Sequence, residues 1–284
     1  MMSINQSDMK ENNVKIPSSK KNFYKKFFSK QNQVKWWCNI YQEGDIEYGV
    51  QLRLKQTVEW ISENETLKRN GILLDLGCGT GVTSYALQKL CNKIVGIDQA
   101  FSMAEKAKLS FSSAKIPLDF LQGDVEALPF KTDSADFVVC LGVISYLESG
   151  QKAILEIARV LKPRGVVILS FHRELILREY LLSLYKNVKC LFPLNSSGNH
   201  QFRRQRYSLE TISRLFQKSK LKLIETKVLD YNYLTISWRK LISTRLAMSL
   251  NRYLLKRSHK APFNRLGDMY LVKAEKADRM NNKN

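Results

Sequence analysis

The sequence has few of the features that mark a secreted, metal-binding or membrane-spanning protein. No apolar run approaches the roughly 20 residues of a membrane-spanning helix, and residues 1–15 lack the apolar core of a secretory signal. Five cysteines are scattered through 284 residues without a CxxC pair, which indicates neither a disulfide framework nor a zinc site. The three histidines are also isolated from one another. We therefore expect a cytoplasmic protein with reduced thiols and no bound metal.

The positive charge of the chain, +20 overall, is unevenly distributed. Residues 71–170 contain 10 basic and 10 acidic side chains, whereas residues 171–284 contain 24 and 8. An excess of this size attracts polyanions, which include nucleic acid, an anionic membrane surface and an acidic substrate. Charge alone does not choose among these partners.

Apolar periodicity divides the chain into three parts. Residues 1–20 are polar and are predicted to be a disordered tail, and residues 21–66 are predicted to form an N-terminal helical cap. Residues 67–284 are predicted to form the main domain, with insertions at 172–206 and 230–266. The predicted apolar face of the last helix of the cap contains Val50, Leu54, Val58 and Ile61.

Short apolar runs alternate with helical stretches through the main domain. The runs predicted as strands are 72–76, 93–98, 118–122, 135–142, 166–171, 221–229 and 267–275. The stretches predicted as helices are 82–91, 102–113, 151–161 and 208–216. Ser102 and Glu105 have the spacing of a capping box at the start of the second helix, and residues 161–165 read as a turn. This order predicts an α/β fold with a doubly wound, mostly parallel seven-stranded sheet.

The first predicted strand leads into a loop with three glycines at alternate positions. The segment "LLDLGCGTG" (73–81) has the order D-x-G-x-G-x-G, which begins at Asp75. Glycine allows a sharp turn and lets a ligand contact backbone that a Cβ would otherwise shield. A dinucleotide fingerprint would instead read GxGxxG, with its third glycine one residue later.

This loop and four later segments resemble the class I S-adenosylmethionine-dependent methyltransferases, and in particular small-molecule enzymes with a type 11-like methyltransferase domain. The resemblance extends from about residue 71 to residue 171. The later segments are "VGIDQAFSM" (95–103), "GDVEALPF" (123–130), "FVVCLGVISYL" (137–147) and "ARVLKPRGVVILS" (158–170).

The resemblance implies S-adenosyl-L-methionine as the cofactor and a set of residues that bind it. The residues at the matching positions are Asp75, Gly77, Cys78, Gly79, Gly81, Asp98, Gln99, Met103, Asp124, Val125 and Leu141. In the family, Asp98 would accept the ribose hydroxyls, and Asp124 would accept the adenine amino group. The residues themselves also allow plainer roles, because an Asp at a strand end often caps a helix, and Cys78 and Met103 could simply pack in the core.

Methyl transfer needs alignment, exclusion of water and, for a protonated acceptor, a base. His172, expected just past the fifth strand, and Tyr146 are the candidates, because ligands bind beyond the carboxyl ends of the strands in such sheets. The two insertions combine aromatic with basic residues, and residues 236–257 predict a basic amphipathic helix of a kind that binds membrane surfaces. We therefore expect a lipophilic small-molecule acceptor, such as a quinone or lipid, and peripheral association with the inner face of an anionic membrane.

Two other functions remain open from the sequence. An RNA methyltransferase that acts on ribose or a ring nitrogen would also use basic residues interleaved with aromatics. A cofactor-binding partner without catalysis would preserve the glycine loop. The acceptor atom and the oligomeric state are not determined by these patterns.

Overall fold

The computed structural model describes residues 20–39, 45–63, 71–112, 117–174, 204–229 and 267–278, together with a few positions between 246 and 260. The predicted tail and most of both predicted insertions lie outside these residues, as does most of the predicted amphipathic helix. None of the helices within the described part of the chain is long and apolar enough to cross a membrane.

The helices and strands follow the predicted order. The helices are α1 (Lys20–Phe28), α2 (Gln31–Asn39), α3 (Asp45–Ser62), α4 (Val82–Leu87), α5 (Phe101–Ser110), α6 (Gly150–Val160) and α7 (Leu209–Lys218). The strands are β1 (Ile72–Leu76), β2 (Lys93–Asp98), β3 (Leu118–Gln122), β4 (Ala135–Cys140), β5 (Leu161–His172), β6 (Leu221–Leu229) and β7 (Met269–Lys276). A 3-10 turn (Ile144–Tyr146) follows β4.

The seven strands form one sheet in the order β3-β2-β1-β4-β5-β7-β6. The pairs from β3 to β5 are parallel, and β7 is antiparallel to both β5 and β6. The predicted doubly wound, mostly parallel seven-stranded sheet is thus confirmed. The strand order reverses between β1 and β4, which is where sheets of this kind open a ligand-binding crevice beyond the carboxyl ends of their strands.

Helices cover both faces of the sheet. On one face, α6 and α7 bury a large apolar cluster with Ile154, Ile157 and Phe216 against the central strands. On the other face, α3 and α4 pack through Trp60 and Leu87. The helix α3 is therefore part of the main core, because Trp60 is only 1% exposed.

The buried stripe of α3 differs from the predicted one. Leu54 and Val58 are only half-buried, whereas Arg53 and Thr57 are buried together with Val50, Trp60 and Ile61. The helix is rotated by about one position from the orientation that apolar periodicity alone favours. This rotation brings an arginine inside the protein.

Two local predictions at the ends of elements are wrong. Residues 161–165 lie within β5, because Ala135 pairs with Leu161 and Phe137 next pairs with Val166, so that the residues between them form a bulge. The predicted capping box is absent, since α5 begins after Ala100 without a side-chain cap. Ser102 instead donates its hydroxyl to the carbonyl of Ser29, 3.3 Å away, which links the first helices to the start of α5.

Candidate functional site

The glycine loop follows β1 and is anchored to the end of β2. The amides of Gly77 and Cys78 both donate to the carbonyl of Ile97, at 2.7 and 3.0 Å. Gly77 and Gly79 have φ angles of +71° and +53°, which side-chain-bearing residues rarely adopt. A Cβ at Gly77 would overlap Val143, but a Cβ at Gly79 would meet no atom of the described residues within 4 Å. The loop is therefore tightly packed at its first glycine and opens onto free space at its second.

Asp98 ends β2 and joins the loop to the start of α5. Its carboxylate accepts from the amide of Gly79 at 2.9 Å and from the amide of Ala100 at 2.8 Å. Burial raises the pKa of Asp98, and these backbone hydrogen bonds oppose that rise. The backbone at Gln99 also donates to this carboxylate, and a carboxylate has about four lone-pair sites, so a hydroxyl donor can still be accepted. Asp98 thus acts as a cap and also remains able to bind a ligand hydroxyl.

Asp75 lies under the loop in β1 and is only 2% exposed. The hydroxyl of Ser84 donates to its carboxylate at 2.6 Å. Burial, with a further contribution from the negative charge of Asp98, raises the pKa of Asp75 to about 6. A pair of buried acids is stabilised in its ionised form by a nearby cation, and S-adenosylmethionine carries two cationic groups at its methionine end.

The other predicted cofactor residues surround the same crevice in different ways. Asp124 follows β3, where its carboxylate accepts from the amide of Glu126 at 3.0 Å, and Gln99 accepts through its carbonyl from Gln122 at 3.1 Å. Cys78 packs beneath the loop beside Phe120. The remaining members follow the glycine loop or the ends of strands: Gly81 at the start of α4, the buried Met103 in α5, the buried Val125 and the half-buried Leu141 after β4.

Arg53 is a residue of this site that the sequence patterns missed. It is 8% exposed, and within the described part of the chain its Nε has no hydrogen-bond partner. Its Nη1 lies 3.1 Å from the position that a Cβ on Gly142 would take, just after β4. A buried guanidinium is costly unless an anion neutralises it. The one signal in the sequence for its burial is its helical spacing from Val50 and Thr57, which are also buried.

Tyr146 and His172 come together beyond the ends of β4 and β5. Their ring centroids are 6.1 Å apart. The sequence predicts His172 just after β5, but in the structure it is the last residue of that strand. The helix α1 covers this point, because Tyr24 and Phe28 contact the Tyr146 ring edge-on at 4.9 and 6.0 Å. Burial, and then the nearby Tyr146, raise the pKa of Tyr24. Aromatic rings thus meet at the carboxyl ends of β4 and β5.

The tautomer of His172 follows from its contacts. Its amide donates to the hydroxyl of Ser145 at 3.1 Å, and Nη1 of Arg204 lies 3.1 Å from its Nε2. A guanidinium only donates, so Nε2 is the acceptor, and the ring carries its proton on Nδ1. In this state, the lone pair that would take a proton is already engaged.

Comparison with known proteins places this site in a recognised domain. Residues 74–169 match the family model described as a methyltransferase domain. These residues include the glycine loop, Asp98, Asp124 and Tyr146, but neither Arg53 nor His172.

Relatives and solved structures extend the similarity. A ubiquinone biosynthesis O-methyltransferase from Rickettsia typhi is 31% identical over 141 residues, which cover 48% of this chain and about half (54%) of the relative. A protein of the same description from Rickettsia canadensis is 24% identical over 232 residues, 79% of this chain and 92% of the relative. The crystal structure of magnesium protoporphyrin IX methyltransferase from Synechocystis with bound SAH superposes with a TM-score of 0.63 at 18% identity, covering 90% of this chain and all of that one. At this identity, the superposition supports the fold alone.

Proposed function

We propose that this chain, in which residues 74–169 match a methyltransferase domain and the fold is that of the class I S-adenosylmethionine-dependent methyltransferases, transfers a methyl group to a lipophilic small molecule of the quinone type. One observation carries the cofactor part of the proposal: at Gly79 a bare backbone, with no atom of the described residues within 4 Å of the position of a Cβ, donates its amide to the carboxylate of Asp98. The acceptor class is supported by the O-methyltransferase names of two relatives and by the aromatic lining beyond β4.

The described residues fit the separate parts of S-adenosylmethionine. Asp98 would hold the ribose hydroxyls, and the backbone of the glycine loop would lie against the methionine part. The guanidinium of Arg53 would pair with the methionine carboxylate, an anion that would offset the cost of burying this cation. Asp75 would stabilise the ammonium, directly or through water.

The acceptor end of the site supplies position and a path for the proton. S-adenosylmethionine, when bound, supplies the methyl group from its sulfonium. Tyr24, Phe28 and Tyr146 would orient a flat acceptor, and this alignment raises the rate of methyl transfer. The same rings would exclude water from the crevice. His172 or Tyr146 would take the proton of an acceptor hydroxyl.

Calorimetric titration with two related ligands tests the cofactor assignment. We expect S-adenosylhomocysteine to bind with a Kd in the micromolar range, about −8 kcal/mol. Methylthioadenosine, which lacks the amino-acid part, serves as the matched ligand. Asp98→Ala should weaken the binding of both ligands more than about tenfold, because both carry the ribose. Arg53→Gln should weaken the binding of S-adenosylhomocysteine alone, because only this ligand carries the carboxylate.

The two substitutions separate the possible failures. Loss of binding of both ligands by Arg53→Gln would show that Arg53 supports the fold rather than the carboxylate. No binding of S-adenosylhomocysteine to the wild type would contradict the proposed cofactor.

Peripheral membrane association is part of the proposed function. The helix α1 contains four lysines and no acid, and two of its aromatic residues, Tyr24 and Phe28, contact Tyr146. Lys25, Lys26 and Lys30 are exposed and line one shallow groove at the other side of the helix. A basic surface of this kind, directly above the acceptor end, would bring the crevice close to an anionic bilayer in which a lipophilic acceptor dissolves.

Vesicle flotation tests this association. We expect the wild type to float with phosphatidylglycerol-containing vesicles and not with pure phosphatidylcholine vesicles. Each lysine near the surface contributes about 1 kcal/mol, so replacing Lys25, Lys26 and Lys30 by Gln should lower binding about a hundredfold. The control triple variant replaces the exposed Lys131, Lys218 and Lys222, which lie near the amino ends of β4 and β6 and thus away from the carboxyl ends of the strands, and should still float. Salt-sensitive RNA binding without flotation would instead favour an RNA substrate.

A further inference from the structure

Arg204 is fixed beside the two candidate catalytic residues by a short backbone connection. The amide of Gln205 donates to the carbonyl of Ser145 at 2.8 Å, and the amide of Tyr207 donates to the carbonyl of His172 at 2.9 Å. These two bonds hold residues 204–207 along the end of β5. Arg204 is thereby positioned although it lies 32 residues after His172 in the sequence.

The guanidinium of Arg204 contacts a lone pair and an aromatic face, but no acid. It lies 3.1 Å from Nε2 of His172 and 5.1 Å from the centroid of the Tyr146 ring. No ion pair with a carboxylate of the described residues is formed by Arg204, and its side chain is exposed. Arg206, two residues later, differs because it pairs with Asp268 at 2.8 Å. The charge of Arg204 is therefore available to an external anion.

The surroundings of this charge restrict the kind of anion. Tyr146 is contacted by Tyr24 and Phe28 from α1, so the cation lies at the edge of an aromatic-lined space. The same space adjoins the cofactor crevice, because Val143 in the preceding turn packs over Gly77. A ligand that satisfies both features has a flat ring and an acidic oxygen.

We propose that Arg204 is a specificity-determining residue that binds an anionic oxygen on an aromatic acceptor, an inference that rests on the proposed methyltransferase function. The guanidinium would move away from Nε2 of His172 and pair with that oxygen. The lone pair of Nε2 would then take the proton of the acceptor hydroxyl. As the new oxygen–methyl bond forms, the carbon–sulfur bond of the donor breaks with its electron pair going to sulfur. The acceptor anion also offsets the positive charge that His172 gains.

The proposal explains why a base candidate is blocked in the protein without substrate. With Arg204 on Nε2, His172 accepts no second proton donor. Only an acceptor with an anionic group draws Arg204 away and exposes the base. A neutral ring of the same shape would bind to the aromatic residues and leave His172 engaged.

Two isosteric probes test this recognition: 3-hydroxybenzoate and 3-hydroxybenzamide, each titrated into protein saturated with S-adenosylhomocysteine. We expect the wild type to bind the carboxylate about tenfold to a hundredfold more tightly than the amide, because the charged hydrogen bond is lost with the amide. In Arg204→Gln, the ratio of the two Kd values should fall to about one, and Arg204→Lys should retain part of it. Arg214→Gln, which removes an exposed charge paired with Glu210, should leave the ratio unchanged.

The outcomes separate this inference from the proposed function. A wild type that binds S-adenosylhomocysteine but binds the two probes equally, or neither of them, overturns the role of Arg204 alone. A ratio that survives in Arg204→Gln also overturns it, and assigns the preference to another residue. A wild type that does not bind S-adenosylhomocysteine overturns the function on which the inference rests.

Discussion

Gly77→Ala is expected to lower the free energy of unfolding by about 2–5 kcal/mol, whereas Gly79→Ala, two residues along the same loop, should cost only about 1 kcal/mol. Both glycines have a positive φ, so both substitutions strain the backbone. At Gly77, the new methyl group would also overlap Val143, and at Gly79 it would enter open space. The difference between the two variants therefore measures packing rather than backbone strain.

Urea unfolding measures the loss of stability that we expect mainly for Gly77→Ala, and ligand titration measures the loss of binding that we expect for Gly79→Ala. The double variant Gly77→Ala, Val143→Ala should recover part of the lost stability, because the shorter side chain removes the overlap. Gly79→Ala should fold well but bind S-adenosylhomocysteine poorly, since its methyl group occupies the space assigned to the ligand. Equal losses of stability in the two single variants would contradict the packing of Gly77 against Val143.

The strands were predictable because of how parallel strands are buried. β1 and β2 have the bounds that the apolar runs predict, since strands covered on both faces read as continuous apolar segments between polar loops. The edge strand β3 also has its predicted bounds, although only Phe120 in it is buried. Apart from the buried stripe of α3, the wrong predictions described above lie at the ends of elements. The start of β5 depends on its pairing with β4, and the start of α5 depends on Asp98 and on a contact with Ser29. Neither is a local property of the sequence.

The site was predictable only where it is local in the chain. The glycine loop and Asp98 stand at fixed distances from strand ends, so a motif finds them. Arg53 and Arg204 join the site through tertiary contacts, with Gly142 in one case and with His172 in the other. An arginine in an amphipathic helix usually faces solvent, and only the rotation of α3 makes Arg53 a buried one.

Asp75→Asn is expected to stabilise the protein at pH 7 and to weaken the binding of S-adenosylhomocysteine. The pKa of Asp75 is about 6 in the folded chain against an ordinary value of 3.8. Between these values, the folded chain holds a proton that the unfolded chain has released, so the free energy of unfolding falls as the pH rises from about 4 to about 6. The full difference corresponds to about 3 kcal/mol.

The asparagine removes the buried charge and keeps an oxygen to accept from Ser84. We therefore expect the melting temperature of Asp75→Asn to vary less with pH between about 4 and 6 than that of the wild type, and to exceed it at pH 7. Asp136→Asn is the contrasting control, because Asp136 accepts from Lys162 at 2.9 Å and its substitution should cost about 0.5–1 kcal/mol.

Binding gives the other half of the result. A buried carboxylate that destabilises the protein at neutral pH is retained where the cation of a ligand stabilises it. S-adenosylhomocysteine should therefore bind Asp75→Asn at least about tenfold more weakly than the wild type. The binding of S-adenosylhomocysteine by the wild type should strengthen as the pH rises through about 6, because ionised Asp75 is the form that attracts the ammonium. A variant that is less stable at pH 7 and still binds the ligand normally would show that Asp75 serves only the loop.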